Sequence, residues 1–179
     1  GDFMAHPDAV YPVTAALGPL LDIPGVFVFG SNDYYAPKIG NPFTYLVGPT
    51  NYDRGEPDLP WPELSSALSS GGWIDLSNRR DHIKVDGRLI DVRGVDDPHI
   101  GRDQYEPIAG PFDPTADLAL GVSHAPYLRV LDAMADDGAQ LIMAGHTHGG
   151  QVCIPGYGAL VTNCDIDTSR VKGLHHHKN

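Results

Sequence analysis

Short apolar runs separated by predicted helices are the feature that most constrains the fold of this chain. Residues 25–30 and 117–122 form two such runs, and 140–144 forms a third after a predicted helix over 127–137. Each run is bounded by glycine or polar residues, which is typical of buried strands. These helix-separated strands, together with a predicted antiparallel group over 73–92, indicate an α/β fold.

The remaining pattern predicts short elements joined by many loops. Asp86-Gly87 is a strong hairpin signal inside the antiparallel group. The polar tail over 169–179 is predicted to be loose. Further expectations are a helix over 8–21, a loop over 31–35, an irregular excursion over 36–62, a short helix starting near Pro62, and a closing hairpin of 152–154 with 159–162.

Length and composition narrow the class of protein. The 179 residues are enough for one domain, so residues 1–179 are predicted to form a single, partial domain. The net charge of −11 argues against a nucleic-acid partner and fits a site for divalent cations. No apolar run approaches the roughly 20 residues of a membrane span. Two cysteines are too few for a disulfide framework. They lie eleven residues apart and form no Cys-x-x-Cys pair, which argues against a structural zinc site.

Polar residues that are able to bind a metal follow three of the predicted strands. Ser31-Asn32-Asp33, His124, and the pair His146 and His148 each come directly after an apolar run. Ligands of open α/β sheets bind beyond the carboxyl ends of the strands, so we expect these side chains to converge. The alternatives are solvent-facing loop histidines and, for His124, a histidine that caps the following helix.

The loop over 145–151, Gly-His-Thr-His-Gly-Gly-Gln, carries the strongest single signal. Neutral imidazole is the commonest metal ligand in proteins, and two imidazoles one residue apart at a strand end can turn toward one point. The glycines allow the backbone to approach an ion or a phosphate closely. Gly149, Gly150 and Gln151 are therefore candidates for binding substrate, unless they only form the turn into the closing hairpin.

In their order along the chain, these motifs resemble those of the calcineurin-like metallophosphoesterases. The family signature runs Asp-x-His, Gly-Asp-x-x-Asp, Gly-Asn-His-(Asp/Glu), a lone His, and Gly-His-x-His. The corresponding residues here are Gly1-Asp2, Gly30-Ser31-Asn32-Asp33, His124 and Gly145-His146-Thr147-His148. The continuation Gly-Gly-Gln resembles a bacterial branch of small phosphoesterases that includes membrane-associated lipid phosphoesterases.

The resemblance implies a four-layer αββα sandwich that lacks its first strand or strands here. It also implies two divalent metal ions, of Mn, Fe, Zn or Mg. Asp2 would bridge the two ions, His124 and His146 would bind the second, and His148 would bind the first. The implied reaction is hydrolysis of a phosphomonoester or phosphodiester by attack of a metal-bound hydroxide.

Three departures from the signature affect the site. The Asp-x-His motif is absent, because this chain starts after the place it would occupy, and Ala5 replaces the second Asp of Gly-Asp-x-x-Asp. On a gapless match, Ser31 replaces the Asn ligand, and Asn32 replaces the catalytic His. Asparagine cannot donate a proton as imidazolium does. A small loop shift would instead let Asn32 bind the metal through its carbonyl oxygen.

The missing histidine requires another proton donor for the leaving group. His99 and His6 are the candidates, with exposed surface histidines as the alternative. Asp96 and Asp97 are neighbours and point to opposite faces of a strand, so at most one of them is expected to face the site. Tyr34 either lines a substrate pocket or packs the loop.

The sequence is compatible with a second function, a non-catalytic metal-binding or scaffold protein of the same fold. For the enzyme, the resemblance implies a small phosphoester or lipid phosphoester substrate. It also implies a cytoplasmic or membrane-associated location, with peripheral association through segments outside this sequence. The chain begins Gly1-Asp2 without methionine, so the targeting region is not represented.

Overall fold

A computed structural model describes residues 1–37, 55–150, 152–154, 156 and 158–178. The described residues form a mixed α/β structure with three sheets. The helices are α1 (Val10–Leu21), α2 (Ser31–Tyr34), α3 (Trp61–Ser70) and α4 (Leu128–Asp136), and the strands are β1 (Val26–Phe27), β2 (Ile74–Asp75), β3 (Arg79–Val85), β4 (Arg88–Gly94), β5 (Leu118–Ser123), β6 (Leu141–Ala144), β7 (Val152–Ile154) and β8 (Gly158–Val161).

The largest sheet has the strand order β3-β4-β5-β6. Strands β3 and β4 are antiparallel and joined by the predicted turn, in which Asp86 and Gly87 have φ angles of 49° and 78°. Both positive φ angles suit a tight hairpin, for which Asp-Gly is a preferred pair. The pairs β4-β5 and β5-β6 are parallel, and α4 connects β5 to β6. The predicted α/β class is therefore confirmed.

The strand at 74–75, which was predicted within the antiparallel group over 73–92, instead pairs in parallel with β1. This smaller pair, β1-β2, packs against the large sheet through an apolar cluster. Val28 follows β1 and Leu76 follows β2, and both belong to one apolar cluster with Val92 and Leu120 of the large sheet. All four side chains are buried. The packing brings the end of β1 close to the ends of β4 and β5, where the predicted site residues lie.

Helices cover the outer sides of the two packed sheets. On the β1 side, Phe27 and Phe29 pack against Leu64 and Leu68 of α3, with side chains of α1 at the edge of this cluster. On the other side, Val130 and Met134 of α4 pack with Val95 and Ile108. Met134 of α4 is fully buried.

The segment from Gly30 to Tyr35 differs from the prediction. The sequence predicts a loop, whereas Ser31–Tyr34 form the single turn of helix α2. The carboxylate of Asp33 accepts the backbone N–H of Gly30 at 2.9 Å, which caps this turn.

Of the predicted excursion over 36–62, residues 38–54 lie outside the described residues. Helix α3 begins at Trp61, with Pro62 in its first turn, where proline is well tolerated.

The C-terminal segment, for which the sequence predicts a loose tail, is held to α4 and to the 145–150 loop. Nε2 of His177 lies 2.8 Å from Oδ1 of Asp132, and Nζ of Lys178 lies 2.6 Å from Oδ1 of Asp136. The hydroxyl of Thr147 donates to the carbonyl of Val171 at 2.7 Å. Within the described residues, no helix is long and apolar enough to cross a membrane.

A buried ion pair beneath α4 provides a test of this packing. The side chain of Arg93 is fully buried, and its Nη1 donates to Asp137 Oδ2 at 2.8 Å and to the carbonyl of Gly110 at 2.7 Å. Asp137→Ala leaves the guanidinium without its counter-charge. We expect the free energy of unfolding, measured by urea denaturation, to fall by about 3 kcal/mol. The neighbouring Asp136→Ala removes only an exposed ion pair and should change it by less than about 1 kcal/mol. Equal losses in both variants would contradict this interpretation.

Candidate metal centre

Three side chains from distant parts of the sequence meet at the ends of β5 and β6. Asp2, His124 and His146 each offer one ligand atom, and these atoms lie within 4.8 Å of one another. Nε2 of His124 is 3.3 Å from Oδ2 of Asp2 and 3.2 Å from Nδ1 of His146. One carboxylate and two imidazoles at this spacing form a donor set for a divalent ion.

The parallel pairing of β5 and β6 places the two histidines side by side. Ser123 and Ala144 are the last paired residues of the two strands, so His124 and Gly145-His146 leave the sheet at the same edge. The backbone N–H of Gly145 donates to the carbonyl of His124 at 2.9 Å and extends this contact beyond the strands. The two rings stand nearly perpendicular, with centroids 5.1 Å apart.

The buried carboxylate of Asp33 holds Asp2 in place. It accepts the backbone N–H groups of Asp2 at 2.7 Å, Met4 at 2.9 Å and Gly30 at 2.9 Å. Hydrogen bonds to a charged acceptor are stronger than those between neutral groups, and these three join the N-terminal segment to the start of α2. Asp33 thus positions the proposed ligand Asp2 without being part of the three-residue group.

Gly30 permits the close approach of these side chains. A Cβ atom at this position would lie 2.7 Å from Nε2 of His124 and would overlap Oδ1 of Asp2. Any larger residue would therefore displace the two donors. The apolar strand ending at Gly30 predicts where the loop begins, but only the packing shows why glycine is needed there.

Asn32 lies at the cluster and contacts Asp2 twice. Its backbone N–H donates to Oδ1 of Asp2 at 2.8 Å, and its side-chain Nδ2 donates to Oδ2 at 3.1 Å. The amide therefore approaches the carboxylate through its NH₂ group. Binding of a metal through the carbonyl oxygen of Asn32, and a catalytic role for its amide, both stay predictions.

The environment favours the protonation states that bind a metal. Burial opposes ionisation of Asp2, but hydrogen bonds from His124 and from the Asn32 backbone, with the nearby histidine charges, lower its pKa to about 2. Burial, together with the neighbouring His99 and His124, lowers the pKa of His146 to about 3. At neutral pH Asp2 is thus an anion and His146 is neutral, as a metal ligand must be.

His99 is brought against this group. Its ring centroid lies 4.4 Å from that of His146, and its Nδ1 lies 3.0 Å from the hydroxyl of Tyr127. His6, the other candidate proton donor, is exposed and accepts the backbone N–H of Asp8 at the start of a short 3₁₀ helix. Of the two candidates, His99 is therefore the one adjacent to the cluster.

The other predicted site residues are placed differently. His148 is exposed and lies outside the group of three, with a φ of 51°. Gly149 and Gly150 follow it in the same loop, and Gln151 lies outside the described residues. Tyr34 is 1% exposed, and its hydroxyl donates to Asp96 at 2.8 Å. This burial agrees with the alternative in which Tyr34 packs the loop and does not line a substrate pocket. Roles of these residues in metal or substrate binding stay predictions.

Two further polar residues lie beside the cluster: Asp97, from a pair of which the sequence predicted that at most one would face the site, and Asn163, which the sequence did not single out. Asp97 is fully buried, burial raises its pKa to about 6, and its Oδ1 accepts the backbone N–H of His99 at 2.8 Å. Its neighbour Asp96 instead contacts Tyr34 and Arg102. Asn163 is also buried, and its Nδ2 lies 3.5 Å from Nε2 of His146. The adjacent carboxylates Asp96 and Asp97 were visible in the sequence as candidates for the site, whereas nothing in the local sequence marks Asn163 as a neighbour of the cluster.

Comparison with known proteins yields three relatives, all from Bacillus subtilis (strain 168). The "Uncharacterized protein YpbG" is 30% identical over 130 residues, which are 73% of this chain and 40% of that protein. The "Uncharacterized metallophosphoesterase YkuE" is 28% identical over 128 residues, 70% of this chain and 42% of that protein. The "Uncharacterized metallophosphoesterase YkoQ" is 27% identical over 129 residues, 71% of this chain and 46% of that protein.

The chain thus spans less than half the length of the curated relatives it matches. No family model matches the chain. No solved structure matches it either. The similarity to two distant homologues that are named metallophosphoesterases supports membership of the metallophosphoesterase family, and the group of Asp2, His124 and His146 is a candidate metal site that agrees with it.

Proposed function

We propose that this chain carries part of the active site of a metal-dependent phosphoesterase with a dinuclear centre. The observation that carries the proposal is the convergence of Asp2, His124 and His146, whose ligand atoms lie within 4.8 Å of one another. Elements far apart in the sequence supply these side chains. Two relatives named metallophosphoesterases can be aligned with about 70% of the length of this chain. The packing order of helix, sheet, sheet and helix supports the further proposal of a four-layer sandwich.

The donors of this chain suit hydrolysis of a phosphoester. A divalent ion in such a site polarises a phosphoryl oxygen and activates water for attack. Asp2 supplies negative charge, His124 and His146 supply imidazole nitrogen donors, and Asn32 holds the Asp2 carboxylate by two hydrogen bonds. In this proposal Asp2 would be shared by both ions, His124 and His146 would bind the second ion, and His148 would bind the first.

His99 is the proposed proton donor to the leaving group. It lies against His146, and the Tyr127 hydroxyl contacts its Nδ1, so the ring is held beside the candidate metal site. A positioned acid of this kind typically contributes 10²–10⁴-fold to the rate. Gly149, Gly150 and Gln151 are proposed to contact the substrate, whereas the buried Tyr34 is assigned to packing.

We take the substrate to be a small phosphoester or a lipid phosphoester. The net charge of −11 disfavours binding to a nucleic-acid backbone. Cations in the site would attract the charged phosphate, so binding of metal and binding of substrate should be linked. The metals are Mn, Fe, Zn or Mg in this proposal, and association with a membrane surface would be peripheral.

Metal analysis combined with a hydrolysis assay tests the proposal. The protein is stripped with a chelator and reloaded with Mn²⁺, and the metal content is measured by elemental mass spectrometry. We expect two ions per chain, and turnover of bis(p-nitrophenyl) phosphate and p-nitrophenyl phosphate that is lost with the chelator. Absence of bound metal would refute the proposal.

A second candidate function is a non-catalytic metal-binding or scaffold protein. The observation that favours it is Asn32, which stands where the resemblance places the catalytic histidine and cannot supply its proton. Within the part of the chain that the structure describes, the group around Asp2 is also a set of three ligands and not of six or more. One bound ion without turnover of either ester would support this second function against the first.

A further inference from the structure

The two ring nitrogens of His146 face different neighbours. Nδ1 lies 3.2 Å from Nε2 of His124 and so points into the candidate metal site. Nε2 lies 3.5 Å from the side-chain amide of Asn163. Asn163 is therefore the residue that meets the side of the imidazole turned away from the other two donors.

A neutral imidazole carries one proton, and the nitrogen that binds a cation must be the one without it. If Nδ1 of His146 is the donor toward the metal, the proton must lie on Nε2. A buried N–H needs an acceptor, and metal-binding histidines nearly always donate this N–H to a carbonyl, a carboxylate or water. The group beside Nε2 therefore decides which form of His146 is stable.

The amide of Asn163 has an acceptor without a partner. Asn163 is 8% exposed, and its Oδ1 is buried and has no hydrogen-bond partner among the described residues. The oxygen and nitrogen of an amide exchange places when the group turns by 180° about its terminal bond. Turned in this way, Oδ1 would accept Nε2–H of His146, and Nδ2 would take the place that Oδ1 occupied.

The backbone around Asn163 keeps the amide at this place. Its φ is 56°, a left-handed conformation that asparagine tolerates better than most residues. The hydroxyl of the preceding Thr162 donates to the carbonyl of Cys164 at 2.9 Å and accepts the backbone N–H of Cys164 at 3.2 Å. These local hydrogen bonds leave the side-chain amide free to serve His146.

We propose that Asn163 is a positioning residue that accepts a hydrogen bond from Nε2 of His146 and so presents Nδ1 to the metal. This inference rests on the proposed metal centre. It assigns a role to a residue that lies 17 positions beyond His146 in the sequence and has no part in the motifs that point to the site.

Two variants of Asn163 separate this role from a structural one. Asn163→Gly removes the amide and keeps the left-handed backbone free of strain, because glycine adopts positive φ readily. Asn163→Asp keeps an acceptor and cannot donate. We expect Mn²⁺ or Zn²⁺ affinity, measured by competition with a chromophoric chelator, to fall 10–100-fold in Asn163→Gly and to stay within about threefold of wild type in Asn163→Asp.

A second measurement does not depend on metal binding. Long-range ¹H–¹⁵N correlation spectra of the metal-free protein report which imidazole nitrogen carries the proton. We expect His146 to carry it on Nε2 in the wild type and in Asn163→Asp, and to show both tautomers in Asn163→Gly. Circular dichroism verifies that each variant is folded; if Asn163→Gly is not, the wild type and Asn163→Asp still decide the question.

Unchanged metal affinity in a folded Asn163→Gly would overturn the inference. So would a proton on Nδ1 of His146 in the wild type, or a large loss of affinity in Asn163→Asp, because either result makes the amide a donor to Nε2. A wild-type protein that binds no divalent ion would instead refute the proposed function. The tautomer spectra would then still report whether the bond between Asn163 and His146 exists.

Discussion

Replacing His146 by alanine should abolish metal-dependent phosphoester hydrolysis and weaken divalent-ion binding by more than about 100-fold. The ring supplies one of the three donors that lie within 4.8 Å of one another. It also separates His124 on one side from His99 on the other, with ring centroids 5.1 and 4.4 Å away. Its loss therefore removes a ligand and the contact that holds the proposed proton donor beside the site.

The measurements are metal affinity by isothermal titration and turnover of bis(p-nitrophenyl) phosphate with saturating Mn²⁺. His176→Ala is the matched control, because His176 is exposed in the C-terminal segment and belongs to a run of three histidines that is able to bind ions nonspecifically. This control should keep both the affinity and the rate of the wild type. Full activity in His146→Ala would show that the metal centre has been assigned to the wrong residues.

Replacing His99 by alanine should lower the rate 10²–10⁴-fold for an alkyl phosphoester and far less for a p-nitrophenyl ester. An alkoxide is a poor leaving group and must be protonated as it departs, whereas p-nitrophenolate is stable as an anion. The split between the two substrates therefore reports proton donation, and a general loss of structure would lower both rates equally.

Steady-state turnover of matched alkyl and p-nitrophenyl diesters provides this comparison for His99→Ala. His6→Ala serves as the control, since His6 is the other candidate donor and lies exposed beside Asp8. It should leave both rates unchanged. A uniform loss with both esters in His99→Ala, or a selective loss in His6→Ala, would contradict the role assigned to His99.

Most of the secondary structure follows from local patterns. The apolar runs at 117–122 and 140–144 are strands within one or two residues of the predicted bounds, and the helix between them ends before Gly138 as expected. Turn chemistry and hydrophobic spacing act over a few residues, so they can be recognised in the sequence. Helix α2 was not predicted, because its single turn depends on Asp33, which also binds Asp2 and Met4 far along the chain.

The sequence by itself determined where the strands end, and with that the positions of His124 and His146 at one edge of a sheet. Strand ends are set by short-range composition, and parallel neighbours expose their carboxyl ends together. Only the tertiary structure decided that His99 rather than His6 lies at the cluster, that His148 stays outside the group of three, and that Asn163 meets the far side of His146. These contacts join loops that are distant in sequence, and they depend on how two sheets and their helices pack, which no local pattern records.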